Sequence, residues 1–102
     1  MNDYISKRLF HGFICLHILH HAEIEPVYGS WMIEELTKHG YKLSPGTLYP
    51  ILHSLENENL ISSYEEIIGG KIRKYYKITA EGKLELIEAK TYLAELIREI
   101  KL

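Results

Sequence analysis

Ten consecutive residues of this 102-residue chain, "GGKIRKYYKI" from Gly69 to Ile78, carry Lys71, Arg73, Lys74 and Lys77 with no acid among them. Cations at this density attract polyanions, and Tyr75 offers a hydroxyl that can donate to a phosphate oxygen, while Tyr76 and Ile78 on the other side of the strand read as packing inward. The net charge of the chain is −2, so the basic character is local. Residues 1–40 hold three Lys/Arg against five Asp/Glu, and residues 79–102 hold four against five. A basic run can also serve only to keep a strand edge from aggregating, so its neighbours decide what it does.

The segment just before it supplies such a neighbour. In "YKLSPGTLYPILHSLENENL" the apolar Leu48, Ile51, Leu52 and Leu55 share one helical face. The opposite face presents Gly46, Tyr49, Pro50, His53 and Asn57, with Lys42, Ser44 and Thr47 at its start. A helix of this kind fits the major groove of DNA, and its N-terminal amides favour a phosphate oxygen, to which Ser44 and Thr47 can add hydroxyl bonds. Tyr49 and Pro50 offer apolar contact to thymine methyls, and His53 can bond a base edge or a phosphate. The face has no arginine or lysine of its own, which leaves part of any specificity to DNA shape.

Two further pairs have spacing that could do chemistry. His17 and His21 stand four apart, as do His11 and Cys15, a step that can place two metal ligands on one helix face. No carboxylate follows at a ligand-like step, so the expectation is no metal and no cofactor. Cys15, among Phe13, Ile14 and Leu16, reads as a small packed hydrophobe. Trp31 falls beside an apolar stripe and reads as half-buried packing. Without a phosphate-binding glycine loop, a nucleophile elbow or a carboxylate pair beside a base, the chain is expected not to be an enzyme.

The elements that would position these residues are legible in outline. Apolar residues recur at three- and four-residue steps from Ile5 to Leu19, predicting a first helix buried on a wide face. Pro26 breaks the chain, Met32, Ile33 and Leu36 mark a second helix, and Gly40 is its C-terminal cap. Ser44 and Pro45 predict the N-cap and first position of the third helix, with irregularity at Pro50. "LISSYEEI" and "KIRKYYKIT" flank Gly69-Gly70 and predict a two-stranded β-hairpin. Thr79 caps a last helix on which Leu86, Leu93 and Ile100 repeat every seven residues. The order is that of a winged helix-turn-helix: a mainly α fold with a small β-hairpin plus a C-terminal dimerisation helix. Residues 1–79 would form the DNA-binding domain and residues 80–102 the dimerisation helix of one compact unit. One cysteine allows no internal disulfide, no signal-like leader opens the chain and no run nears the length of a membrane span, so a cytoplasmic location is expected.

"LSPGTLYPILHSLENENLISS" followed by "GGKIRKYYKITAEG" closely resembles the signature of the PadR family of bacterial and archaeal transcriptional regulators, over roughly Phe10 to Leu102. Lys71 and Ile72 stand where the family commonly has an Arg-Pro pair, and Ser30 and Trp31 follow Tyr28-Gly29 where it commonly has an aromatic residue and an acid. The single C-terminal helix resembles the family's short subfamily. That similarity implies a homodimeric repressor of a double-stranded DNA operator, with the first and last helices pairing the subunits through Leu9, Phe13, Leu86, Leu93, Ile97 and Ile100. It also implies a small aromatic or other hydrophobic effector between subunits, although Tyr92 and Leu93 lie where some relatives carry a drug-stacking tryptophan. The DNA contacts expected are Lys42, Ser44, Thr47, Tyr49, Pro50, His53, Lys71, Arg73, Lys74 and Tyr75. The rival reading is a winged-helix protein-interaction module that uses the same surface without DNA.

Overall fold

A computed structural model describes residues 1–101. Helix α1 (Tyr4–Ile24) runs past the expected Leu19 because Leu19 and Ala22 continue its buried stripe. It stops one residue short of Pro26, since the residue before a proline disfavours helical backbone, and Glu25 is extended. The next two residues, Val27–Tyr28, form a short strand β1 that the sequence reading lacks. They pair antiparallel with Tyr76 and Tyr75, which turns the expected two-stranded hairpin into a three-stranded sheet of order β1-β3-β2. Burial drives this pairing: Val27 is 3% exposed, and its backbone must find partners there.

Helix α2 (Gly29–Lys38) ends as the sequence predicts. Gly40 takes φ +89°, its N–H donates to the Thr37 carbonyl at 3.1 Å, and the Tyr41 N–H donates to the Leu36 carbonyl at 2.9 Å. Helix α3 (Pro45–Asn57) is continuous through Pro50, whose missing N–H leaves only the carbonyl of the exposed Gly46 without its usual donor. Strands β2 (Ile61–Ile68) and β3 (Lys71–Ile78) are joined by Gly69 and Gly70 at φ +57° and +79°, the positive pair that a two-residue hairpin turn requires.

Helix α4 (Ala80–Ile100) begins on a two-way hydroxyl. Thr79 Oγ1 accepts from the Gly82 N–H at 2.9 Å and donates to the Asn59 carbonyl at 2.6 Å, tying α4 to the turn between α3 and β2. Gly82 lies so close to that turn that a Cβ there would overlap the Leu60 carbonyl oxygen.

One core joins all these elements, with Val27 of β1 at its margin: Ile14 and Ile18 of α1, Met32 and Leu36 of α2, Leu48 and Leu52 of α3, Ile61, Tyr76 and Leu86 are each at most 2% exposed. Removing any of the aliphatic members would cost about 2–5 kcal/mol. The later turns of α4 extend beyond this core, giving a molecule of 51 × 34 × 23 Å with Tyr92, Leu96 and Ile100 exposed.

Candidate nucleic-acid interface

The core side of α3 is fixed by Leu48, Ile51, Leu52 and Leu55, all buried, and this turns Ser44, Thr47, Tyr49, Pro50 and His53 outward. Lys42 is exposed just ahead of them. Ser44 occupies the N-cap position, but its hydroxyl lies 3.4 Å from Thr47 Oγ1 and makes no bond to the helix amides. Its carbonyl instead accepts from the Thr47 and Leu48 N–H groups at 3.0 Å each. Two hydroxyls therefore sit together at the positive end of the α3 dipole, where an anion is favoured.

The wing stands beside this helix end. A cleft of about 280 Å³ is lined by Tyr28, Gly29 and Ser30 at the start of α2, Tyr49 of α3, and Ile68 with Lys71 to Lys74 of the wing. Lys71, Arg73, Lys74 and Tyr49, chosen from the sequence as separate contacts, thus meet in one place together with the N-terminus of α2. Tyr49 is only 38% exposed, and its ring covers Gly29.

Arg73 does not hang free. Its guanidinium lies 4.1 Å from the Tyr28 ring centroid, a cation–π contact that holds the charge at the mouth of the cleft. Tyr75 packs edge-on to Tyr28 at 5.6 Å and stacked on Tyr64 at 5.5 Å, so one sheet face carries a row of three tyrosines across all three strands. Lys77 closes the row with Nζ 5.9 Å from the Tyr64 ring. Tyr75 therefore supports the wing, more a strut than a projecting contact. The sequence reading missed Tyr28 and Tyr64 because cross-strand neighbours depend on register, and missed Gly29 and Ser30 because they reach the wing only through β1. The register also sets Glu65 opposite Lys74 and Glu66 opposite Arg73, two acids close to the basic run that the ten-residue window excluded.

On the far side, α1 and α4 border an open groove of about 630 Å³ lined by Leu9, Phe13, Leu16, Leu93, Leu96, Ile97 and Ile100, with His17 and His20 at its edge. Leu9, Ile97 and Ile100 are 46%, 38% and 57% exposed. Leu86 also lines this groove, but at 2% exposure it belongs to its own chain's core. Cys15 and Trp31 pack against the core as expected, and burial pushes the Cys15 thiol pKa up.

A sequence profile described as "Transcriptional regulator PadR-like family" matches residues 18–88, from the middle of α1 into α4. The chain belongs to this PadR-like family. It is 47% identical over 85 residues to the transcriptional regulator Rv3488 of Mycobacterium tuberculosis, covering 83% of this chain and 79% of that one. A PadR-like transcription factor from Bacteroides fragilis superposes with a TM-score of 0.83 at 31% identity, covering 97% of each chain. A PadR-like transcriptional regulator from Bacillus cereus gives 0.83 and 31%, with 92% of this chain and 93% of that one covered. The winged-helix architecture and the family drawn from the sequence motifs both hold. PadR-like proteins are regulators of transcription and not enzymes. Among the described residues no helix is long and apolar enough to cross a membrane.

Proposed function

We propose that this PadR-like regulator binds double-stranded DNA as a homodimer and represses transcription by occupying a pseudo-palindromic operator in the cytoplasm. Residues 1–79 of each subunit read the DNA: α3 enters the major groove with Ser44, Thr47, Tyr49, Pro50 and His53, and Lys42 and the wing lie along the flanking backbone. Residues 80–102 join the subunits, the α1/α4 groove receiving the same groove of a second copy.

The observation that carries this reading is the convergence of Lys71, Arg73 and Lys74 with the N-terminus of α2 on one cleft beside α3, in a chain whose net charge is −2. Cations gathered next to helix amides suit a row of phosphates, whose neutralisation releases counterions. The dimer is supported by the exposed leucines and isoleucines of the groove, which a monomer would leave in water.

Footprinting on the DNA upstream of the protein's own gene tests both halves. The expected pattern is two protected half-sites about 10 base pairs apart, the separation that two-fold-related recognition helices span. One unpaired half-site would contradict the dimer. Absence of protection at every concentration, with a protein partner captured by the same face, would favour an interaction module instead.

A further inference from the structure

His17 and His21 have no ligand-like neighbour in sequence, yet the fold brings them one. His39, the C-cap residue of α2, packs against α1 so that the candidate donor atoms of His17, His21 and His39 all lie within 4.8 Å of one another. Its ring centroid is 5.0 Å from that of His17 and 6.5 Å from that of His21. Glu35, one turn earlier on α2, sets Oε2 3.1 Å from His39 Nε2 and 3.7 Å from His21 Nε2. The Glu35 side chain is only 17% exposed and that of His21 15%, so the pair points into the seam between α1 and α2.

We propose that His17, His21 and His39, with the Glu35 carboxylate as fourth donor, form a binding site for a divalent transition cation of the zinc class. Three imidazoles and one carboxylate make a four-coordinate set of the kind such ions take, whereas magnesium and calcium prefer all-oxygen shells. Tetrahedral bonds of about 2.1 Å hold donors about 3.4 Å apart, so the three imidazoles close on an ion through modest side-chain rotations, and Glu35, already near His21 and His39, turns in as the fourth donor. The rings are suited to it. Burial first, then repulsion from neighbouring histidines, keeps the pKa of His17 below the usual imidazole value, and burial does the same for His21. Both rings are then neutral donors near pH 7. Glu35 is held ionised chiefly by its hydrogen bond from His39. Lys38 Nζ sits 3.6 Å from the other carboxylate oxygen, Oε1, but its side chain is 73% exposed and free to leave.

The site has a consequence for the fold that does not depend on DNA binding. It pins α1 to the last turn of α2, and the chain leaves His39 directly into the connection that ends at Ser44. His17 also borders the α1/α4 groove, so an ion there fixes one lining residue of that surface.

Zinc titration of the full chain by calorimetry, with cobalt as a spectroscopic probe, tests the site. Expected are saturable binding of one ion per chain, visible cobalt bands of tetrahedral intensity, no response to magnesium, and a melting temperature raised by zinc. H39Q and H21Q lower the affinity at least about tenfold and abolish the zinc-induced stabilisation, while their circular dichroism stays that of the parent. H20Q and H11Q, which alter histidines outside the cluster, bind as the parent does. Affinity unchanged in H39Q would place any ion on α1 alone and overturn the proposal, as would the lack of saturable zinc binding or an octahedral cobalt spectrum.

Discussion

Tyr49 of α3 closes over Gly29 at the first turn of α2, so tightly that a β-carbon at position 29 would overlap the tyrosine hydroxyl and ring. The contact couples the helix proposed to read DNA to the helix end that lines the wing cleft. Because the obstacle is the far end of a side chain already 38% exposed, G29A is expected to swing Tyr49 aside at a cost of no more than about 1 kcal/mol. Its effect should appear in recognition: the preference for operator over random DNA falls while the denaturation midpoint barely moves. An unchanged preference would remove the Tyr49–Gly29 contact from recognition.

Gly82 is the opposite case. Its would-be β-carbon meets the backbone carbonyl of Leu60, which cannot rotate away. G82A should therefore destabilise the chain by about 1–3 kcal/mol, despite the better helix propensity of alanine. Urea denaturation measures this directly. A more stable G82A would mean that α4 is not held against the α3–β2 turn.

These two glycines mark the limit of what could be read from the sequence. Caps and turns are local, so Gly40, Pro45, Gly69-Gly70 and Thr79 announced their elements, and the spacing of Leu48, Ile51, Leu52 and Leu55 announced which side of α3 faces out. Close approaches are not local. Nothing in the order of residues says that Tyr49 lies on Gly29, that Val27 and Tyr28 add a strand beside Tyr75 and Tyr76, or that His39 joins His17 and His21. Leu86 was legible as apolar and periodic, but periodicity does not say whether its own core or a second subunit covers it.

Stability should fall with pH below neutrality. The folded chain holds His17 and His21 below the usual imidazole pKa, chiefly by burial, so the unfolded chain takes up those protons first. Their contribution is complete above about pH 6.5 and is lost as pH drops through the lower folded values. Glu35, whose pKa is lowered chiefly by its bond from His39, adds a loss in the same direction below about pH 4.3. With a chelator present, the urea midpoint should decline from pH 7 to pH 5, and H17Q/H21Q should flatten that decline. A flat profile in the parent would contradict the burial of these rings.

Ile97 is 38% exposed on the α1/α4 groove, outside the core of its own chain. I97D should leave the helical circular dichroism unchanged and convert the protein to an 11.9 kDa monomer in sedimentation. A dimer that survives this change would place the subunit contact elsewhere.

Arg73 and Lys74 are expected to contact phosphates and no base. R73A and K74A should each weaken binding to every sequence and reduce the slope of log K against log salt by about 1. R73A should lose somewhat more, because Arg73 is already oriented on Tyr28, while each cation faces one acid across the strand pair, Glu66 and Glu65 respectively. A loss confined to the operator would make the wing a reader of bases instead.

The most direct test of DNA regulation by this PadR-like chain is fluorescence anisotropy on its own upstream DNA and on random DNA of equal length, over a range of salt. Binding that favours the upstream fragment and falls about a thousandfold or more between 50 and 200 mM salt is expected if six or more phosphates are contacted. Binding to neither fragment, even at low salt, would contradict the assignment of the α3 and wing surface to DNA.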